Sequence, residues 1–317
     1  MSLDFSKPLF VLAPLAGFTD LPLRSVVKKF GADLTVSEMI SSNALVYKNA
    51  KTMKMVEKSP LETPYSVQIS GSKPDIIREA IEVLNERDGI DIIDLNCGCP
   101  VPKVVNNLSG SSLLNDLPKM AKAIETIKKY SNKEYTSVKI RLGFEEKNHI
   151  EIAKLVEDCG ADFIAVHGRT RSGKFKAPVD YQAIKEIKEA LSIPVIANGD
   201  IDTPAKSKWV LDYTGADGIM VGRGAIGKPW IFAQMKSGDD RPSSKLIQSV
   251  IIEHYDQMIN FYGEYGAILF RKHLHTYSKG GYDGASKFRN DINRIVNPQD
   301  MRAVIEEFFA QEVIIYE

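Results

Sequence analysis

Residues 157–168 read EDCGADFIAVHG, and the same plan returns at 212–223 as DYTGADGIMVGR and at 28–39 as KKFGADLTVSEM. Each runs from the end of a helical pattern through Gly-Ala-Asp into a short apolar strand. Gly160, Gly215 and Gly31 stand just past the helix end, where the chain turns left-handed and a residue without Cβ fits. ERDGIDIIDLN, at 86–96, is a looser copy. Helix, turn and buried strand in repetition describe βαβ units and a parallel sheet.

Working outward, eight apolar strands are expected at about 9–14, 33–37, 65–69, 91–95, 136–140, 162–166, 194–197 and 217–221. Helical patterns separate most of them. PDIIREAIEVLNERDG (74–89) opens on Pro74 and is apolar at 76, 77, 80, 81 and 84, one face of a helix. Eight such units match an α/β fold of the (β/α)8 TIM-barrel type in number and length. An open doubly wound sheet is the competing arrangement. It would carry a glycine-rich turn after its first strand, which APLAGFTD (13–20) lacks.

After GKPWIFAQMKSGDDRPSS (227–244) the alternation stops and only helical pattern remains, as in KLIQSVIIEHYDQMINFYGEYG. The expected organisation is a barrel over 1–238 and an all-helical domain over 242–317, joined near Ser237–Ser244.

The 317 residues are 44% hydrophobic and 26% charged, an ordinary globular composition. No run approaches the roughly 18 apolar residues of a membrane span. The opening MSLDFSKPLF lacks the layout of a signal peptide. Three cysteines make no disulfide framework, so a cytoplasmic setting is expected. Lys+Arg and Asp+Glu both number 41, so a nucleic-acid partner requires positive charge gathered on one face.

In a barrel the C-terminal strand ends converge on one mouth and carry the chemistry. Here every expected strand delivers polar or glycine-rich residues at that end: APLAGFTD, Ser37-Glu38-Met39, Gln68, NCGCP (96–100), Lys139 with Arg141, His167, Asn198-Gly199-Asp200, and Gly222-Arg223-Gly224. Glycines after the eighth strand let backbone N–H groups approach an anion, and Arg223 adds a charge-assisted contact. A tight turn alone also explains them, but the neighbouring Asn198–Asp200 segment favours a phosphorylated ligand such as a mononucleotide. Lys139 and Arg141, two apart on a strand, point to the same side. Buried cations there need either barrel carboxylates or an anionic ligand. A lysine so placed also suits the negative charge of a reduced flavin. His167 reads equally as a satisfied core histidine, with weight added by Arg169 and Arg171.

Cys97 and Cys99 flank one glycine. A structural zinc site needs about four ligands; none gather here, and no metal is expected. A disulfide across one residue would be strained. Cys97 suits a small buried hydrophobe. Cys99, in a turn between Gly98 and Pro100, can reach the mouth, and with an ordinary thiol pKa of about 8.5 it can donate a proton at neutral pH.

Together these segments resemble the tRNA-dihydrouridine synthases, flavin enzymes that reduce uridine in tRNA. APLAGFTD, SEM, DLNCGCPVPKVV, GSSLL, KIRLG, VHGRTR, IANGDI, GADGIMVGRGAIGKPWIF and RKHLHTYSKG follow the family's order across nearly the whole chain, and the set looks closest to the bacterial DusB-like branch. The resemblance implies an FMN-dependent oxidoreductase reduced by NADPH (or NADH), with Cys99 as general acid. It implies FMN contacts from Pro14, Leu15, Ala16, Gln68, Lys139, His167, Asn198, Gly199, Asp200, Gly222 and Arg223. Asn96 and Arg141 match positions that face the target uracil. The chain departs from the family at SGKFKAPVDY (172–181), at Leu15 and at Phe18.

Two basic runs are candidate contacts for tRNA phosphates. Arg271, Lys272, Lys279, Lys287, Arg289 and Arg294 form one, and Lys48, Lys51, Lys54 and Lys58 the other. Either is also what a solvated face looks like, and a groove forms only where the helical domain packs beside the mouth. No membrane or protein partner is implied, and a monomer is expected. Three other readings compete. A small-molecule FMN barrel of dihydroorotate dehydrogenase type would not need the basic helical segment. A Schiff-base lyase would use Lys139 as nucleophile. A silent tRNA-binding protein would not need Cys99.

Overall fold

The computed structural model describes residues 3–238, 242–279 and 281–311. Nine strands are present among them: β1 Leu9–Leu12, β2 Leu34–Val36, β3 Ile40–Ser41, β4 Tyr65–Ser70, β5 Ile92–Cys97, β6 Tyr135–Arg141, β7 Phe163–His167, β8 Val195–Asn198 and β9 Gly218–Val221. All pair in parallel. β1 joins β9 and β2, and β2 joins β4, so eight strands close into a cylinder. Helices fill the crossovers: α1 Leu21–Lys29, α2 Ser42–Val46, α3 Ala50–Val56, α4 Pro74–Asn85, α5 Pro102–Val105, α6 Leu117–Tyr130, α7 His149–Asp158, α8 Tyr181–Ala190, α9 Pro204–Thr214 and α10 Ile231–Ser237.

The repeated Gly-Ala-Asp turns behave as their composition requires. Gly31, Gly160 and Gly215 have φ of 87°, 82° and 66°, the left-handed region in which a Cβ is strained. The aspartates then serve the strands. Asp33 accepts from Phe10 N–H at 2.9 Å, and Asp217 from Val195 N–H at 2.8 Å.

Two details differ from the sequence expectation. β1 stops at Leu12 rather than residue 14: Ala13 N–H still reaches the Val221 carbonyl at 2.8 Å, but Pro14 has no N–H to continue the ladder. β3 is additional, a two-residue strand lying along the end of β4, with Ile40 opposite Ile69.

Strand periodicity sorts the side chains. On β7, Ile164 and Val166 pack outward against the helices, whereas Phe163 and Ala165 join an interior cluster with Leu9, Val11, Ile92 and Ile196. The same alternation turns Asp94 and Asn96 inward on β5 and Leu95 and Cys97 outward. The barrel therefore has an apolar floor and a polar upper layer.

Beyond the barrel lie α11 Ser244–Tyr262, α12 Tyr265–Tyr277, α13 Ala285–Ile292 and α14 Pro298–Phe309. Their apolar cluster includes Tyr255, Met258, Phe270, Ile305 and Phe309, and it extends to Val26 on α1 and to Trp230. The helices are seated against the loops after β1 and β9. Tyr262 donates to Asp20 at 3.2 Å, the Phe18 ring meets His273 edge-on at 5.4 Å, and a Cβ on Gly227 would collide with Thr276 at 2.7 Å. Lys54 bonds the Phe261 carbonyl, and Lys29 pairs with Glu253. Of the expected junction and helical region, residues 239–241, 280 and 312–317 lie outside the described residues. Among the described residues no helix is long and apolar enough to cross a membrane.

Candidate active site

A cavity of about 730 Å³ opens at the C-terminal ends of the strands, within the usual size range of small-molecule sites. Its wall draws on most of the barrel. Pro14, Leu15 and Ala16 come from the loop after β1, Gln68 from β4, and Asn96 with Cys99 from β5 and its turn. Lys139 and Arg141 come from β6 and His167 from β7. Asn198, Gly199 and Asp200 follow β8, and Gly222 and Arg223 follow β9. Every barrel residue to which the family resemblance gave a role meets in this one space, whereas Ser37, Glu38, Cys97, Arg169, Arg171 and the lysine run at 48–58 do not line it. Arg271 and Lys272 do not line it. They sit on α12, where Arg271 donates to the Ile295 carbonyl at 2.7 Å and the Lys272 ammonium lies 5.4 Å from the Phe18 ring, at the edge of the mouth.

The cysteine pair divides as the strand period dictates. Cys97 faces outward and is fully buried, which pushes its thiol pKa well up. Cys99 belongs to a turn pinned by three hydrogen bonds. Asn96 Oδ1 accepts from Gly98 N–H at 3.1 Å and from Cys99 N–H at 2.9 Å, while the Cys99 carbonyl accepts from Ser111 N–H at 3.1 Å. Gly110, at φ 62°, permits this approach, since a Cβ there would stand 3.0 Å from the Cys99 carbonyl oxygen.

Positive charge dominates the polar layer. Lys139 donates to Asn198 Oδ1 at 3.0 Å. Burial, and then the neighbouring Arg141, bring its pKa down to about 8. Arg141 donates from Nε to the Gly98 carbonyl at 2.8 Å and from Nη1 to the carbonyls of Thr170 and Lys174, both at 3.0 Å. Burial, and then Arg169, lower its pKa to about 10. Burial and the surrounding cations depress His167 strongly, so its imidazole is neutral. Asp200 is paired with both Arg169 and Arg223, and the Arg169 hydrogen bond leads in holding its carboxyl below the usual range. Lys139, Arg141, Arg169 and Arg223 thus outnumber the carboxylates set against them, Asp200 and Asp202 at the cavity and the buried Asp94 beside Lys139. That imbalance fits an anionic ligand, and with apolar Pro14, Leu15 and Ala16 on the opposite side the wall fits a flat ring carrying a phosphate, as FMN does.

Some participants were not singled out in the sequence. Phe175 lines the cavity, half exposed, 5.4 Å from the Arg141 guanidinium and 5.0 Å from that of Arg223. An aromatic in a polar loop was its only signal. Asp94, fully inside the barrel, accepts from Ser137 at 2.6 Å and from Gln68 at 2.7 Å. Its two-residue offset from Asn96 is the one signal that could have found it.

A closed parallel barrel with a basic, thiol-bearing cavity at its C-terminal mouth defines the class: a TIM-barrel enzyme built for an anionic, phosphate-bearing ligand. The chain belongs to the dihydrouridine synthase (Dus) family, whose pattern matches residues 11–314. It is 50% identical over 314 residues to a probable tRNA-dihydrouridine synthase of Helicobacter pylori, covering 98% of this chain and 95% of that one. It is 38% identical to tRNA-dihydrouridine synthase B of Shewanella oneidensis, with 97% of each chain covered. Among solved structures, the old yellow enzyme homologue of Zymomonas mobilis superposes with a TM-score of 0.52 at 13% identity, over 74% of this chain and 89% of that one. That likeness speaks to the barrel alone.

Proposed function

We propose that this protein reduces the C5=C6 bond of a uridine in tRNA, with FMN in the barrel cavity and NADPH as the ultimate reductant. Family membership supports the reaction, and the position of Cys99 at the cavity carries the assignment of roles. FMN, when bound, supplies the hydride that C6 of the uracil receives. The residues to hold it are Pro14, Leu15, Ala16, Gln68, Lys139 and His167, with Asn198–Asp200, Gly222 and Arg223 toward its phosphate.

Cys99 donates its thiol proton to C5. Saturation needs that proton, because hydride addition alone leaves an enolate with charge on C5 and the exocyclic C4 oxygen. Asn96 and Arg141 hold the base, and Lys139 supplies positive charge beside the ring system. The pyrimidine must leave the tRNA stack to enter so deep a cavity.

The helical region from 242 onward acts as the tRNA-binding domain beside the catalytic barrel of 1–238, with Arg271 and Lys272 reading phosphates. α12 borders the mouth, which supports this arrangement. A cytoplasmic monomer suits so bulky a substrate. The test is mass mapping of total tRNA from a strain lacking the gene. One or more uridines should lack the two added hydrogens and should gain them on incubation with the purified protein, FMN and NADPH. A tRNA pool that the protein leaves unchanged would overturn the assignment.

A further inference from the structure

A chain of hydrogen bonds runs up the inside of the barrel from Ser137 to the turn of Cys99. Ser137 donates to Asp94 Oδ1 at 2.6 Å, Gln68 Nε2 to Asp94 Oδ2 at 2.7 Å, and Asn96 Nδ2 to Gln68 Oε1 at 2.8 Å. Asn96 Oδ1 then accepts from Gly98 and Cys99 N–H. All three inner side chains, Asp94, Gln68 and Asn96, are buried.

An amide can present either end, so its direction needs an anchor. This chain has one at each end, and they agree. A carboxylate accepts only, so Gln68 turns its NH2 to Asp94 and its oxygen to Asn96. Backbone N–H groups donate only, so Asn96 turns its oxygen to them and its NH2 to Gln68. Flipping either amide would set oxygen against oxygen in a buried place and leave donors without acceptors.

The consequence appears at the cavity wall. Asn96 Oδ1 is occupied twice, so what remains toward the ligand is one N–H of Nδ2. Arg141 has spent Nε and Nη1 on carbonyls, leaving the Nη2 hydrogens. Both groups line the cavity, and both can only donate.

We propose that this fixed polarity sets a donor pair, Asn96 Nδ2 and Arg141 Nη2, against the C4 oxygen of the base and thereby selects uracil over cytosine, with Asp94 and Gln68 as positioning residues for Asn96. The proposal rests on the uridine-reducing role above. Uracil offers the C4 carbonyl as an acceptor where cytosine offers an amino donor. A site built of oriented donors rejects the mismatched analogue because its own buried N–H groups would be left unpaired. The same donors favour the enolate oxygen that forms before Cys99 delivers its proton.

The chain is reversible by exchange of its ends, which gives the test. Asn96→Asp alone sets carboxylates at 94 and 96 on either side of Gln68, whose single NH2 can serve only one, so the thermal midpoint should fall. Adding Asp94→Asn lets Gln68 turn round and satisfies every group again with net charge unchanged. The midpoint should recover toward wild type, while the cavity now presents an acceptor at 96. The substrates are two transcripts of a tRNA that the wild-type holoenzyme reduces, bearing uridine or cytidine at the reduced position, with rates normalised to bound flavin. The double variant should lose at least 100-fold in kcat/KM on the uridine transcript and lower the uridine-to-cytidine preference at least tenfold. A double variant no more stable than Asn96→Asp, or one that keeps wild-type preference, overturns the proposal. Failure of the underlying reading is distinguishable, since the wild-type enzyme would then reduce neither transcript.

Discussion

Arg141 on β6 donates its Nε to the carbonyl of Gly98 at 2.8 Å, so a strand end holds the turn that carries Cys99. The same guanidinium reaches the carbonyls of Thr170 and Lys174. One planar side chain thus joins the loops after β5 and β7.

A lysine cannot reproduce that fork. Arg141→Lys should keep flavin content close to wild type, lower the thermal midpoint because carbonyls lose their donors, and lower kcat per folded enzyme on tRNA about 100-fold, the scale expected from a misplacement of about 1 Å. Steady-state kinetics with flavin quantified by absorbance checks this.

Lys139 links pH to cofactor affinity. Burial and Arg141 bring its pKa in the ligand-free protein down to about 8, and an anionic ligand prefers the charged form. Affinity for FMN should therefore be level below pH 8 and weaken as pH rises through 8. Folding of the ligand-free protein responds in the opposite sense: between 8 and the ordinary lysine value the unfolded chain binds the extra proton, so this group adds stability as pH rises. Fluorescence titrations of FMN from pH 7 to 9 should show the break, and Lys139→Met should remove it.

The junction between barrel and helices titrates on the acid side. His254 is buried, which lowers its pKa to about 3, with Lys272 contributing; His273 is lowered by burial, then by His254 and Lys272. Both are neutral when folded and take up protons on unfolding below their ordinary value near 6.5, so stability is lost as pH falls from there, at about 1.4 kcal/mol per unit for each group. Asp20, raised to about 6 mainly by burial, works the other way between 6 and its unfolded value, offsetting one histidine. Denaturant melts should show a net decline between pH 6 and 4 that flattens in His254→Gln.

Cys97 and Cys99 should separate cleanly under substitution. Cys97→Ser places a hydroxyl in a fully buried apolar site and should cost about 1–3 kcal/mol of stability while leaving the rate per folded molecule unchanged. Equal losses of activity from Cys97→Ser and Cys99→Ser would contradict the division of roles.

Charge reversal of Arg271 and Lys272 together should weaken tRNA binding and reduce its salt slope by about 1 for each lost phosphate contact. Lys272→Glu alone is the cleaner probe, because Arg271 also supports the Ile295 carbonyl. Binding isotherms at several salt concentrations decide it.

How much of this was legible in the sequence depended on whether a residue obeyed a period. The Gly-Ala-Asp turns located β2, β7 and β9 because a left-handed glycine and a strand-capping aspartate recur at fixed spacing. His167, Lys139 and Gln68 followed from strand ends. β3 could not be read, since two residues carry no periodicity and Ile40–Ser41 is a strand only because β4 is long enough to pair with it. Asp94 was hidden inside the apolar run IDIIDL, and its partners on β4 and β6 are neighbours only once the barrel closes. Phe175 depends on a loop whose path is set by Arg141 and Arg169 bonding its carbonyls.

The most direct test of the account is the rate of dihydrouridine formation by Cys99→Ala under saturating NADPH, with bound flavin and tRNA affinity measured on the same preparation. The account predicts flavin and tRNA binding near wild type and a rate at least 100-fold lower, the usual scale for losing a general acid. A Cys99→Ala enzyme that forms dihydrouridine at the wild-type rate would contradict it.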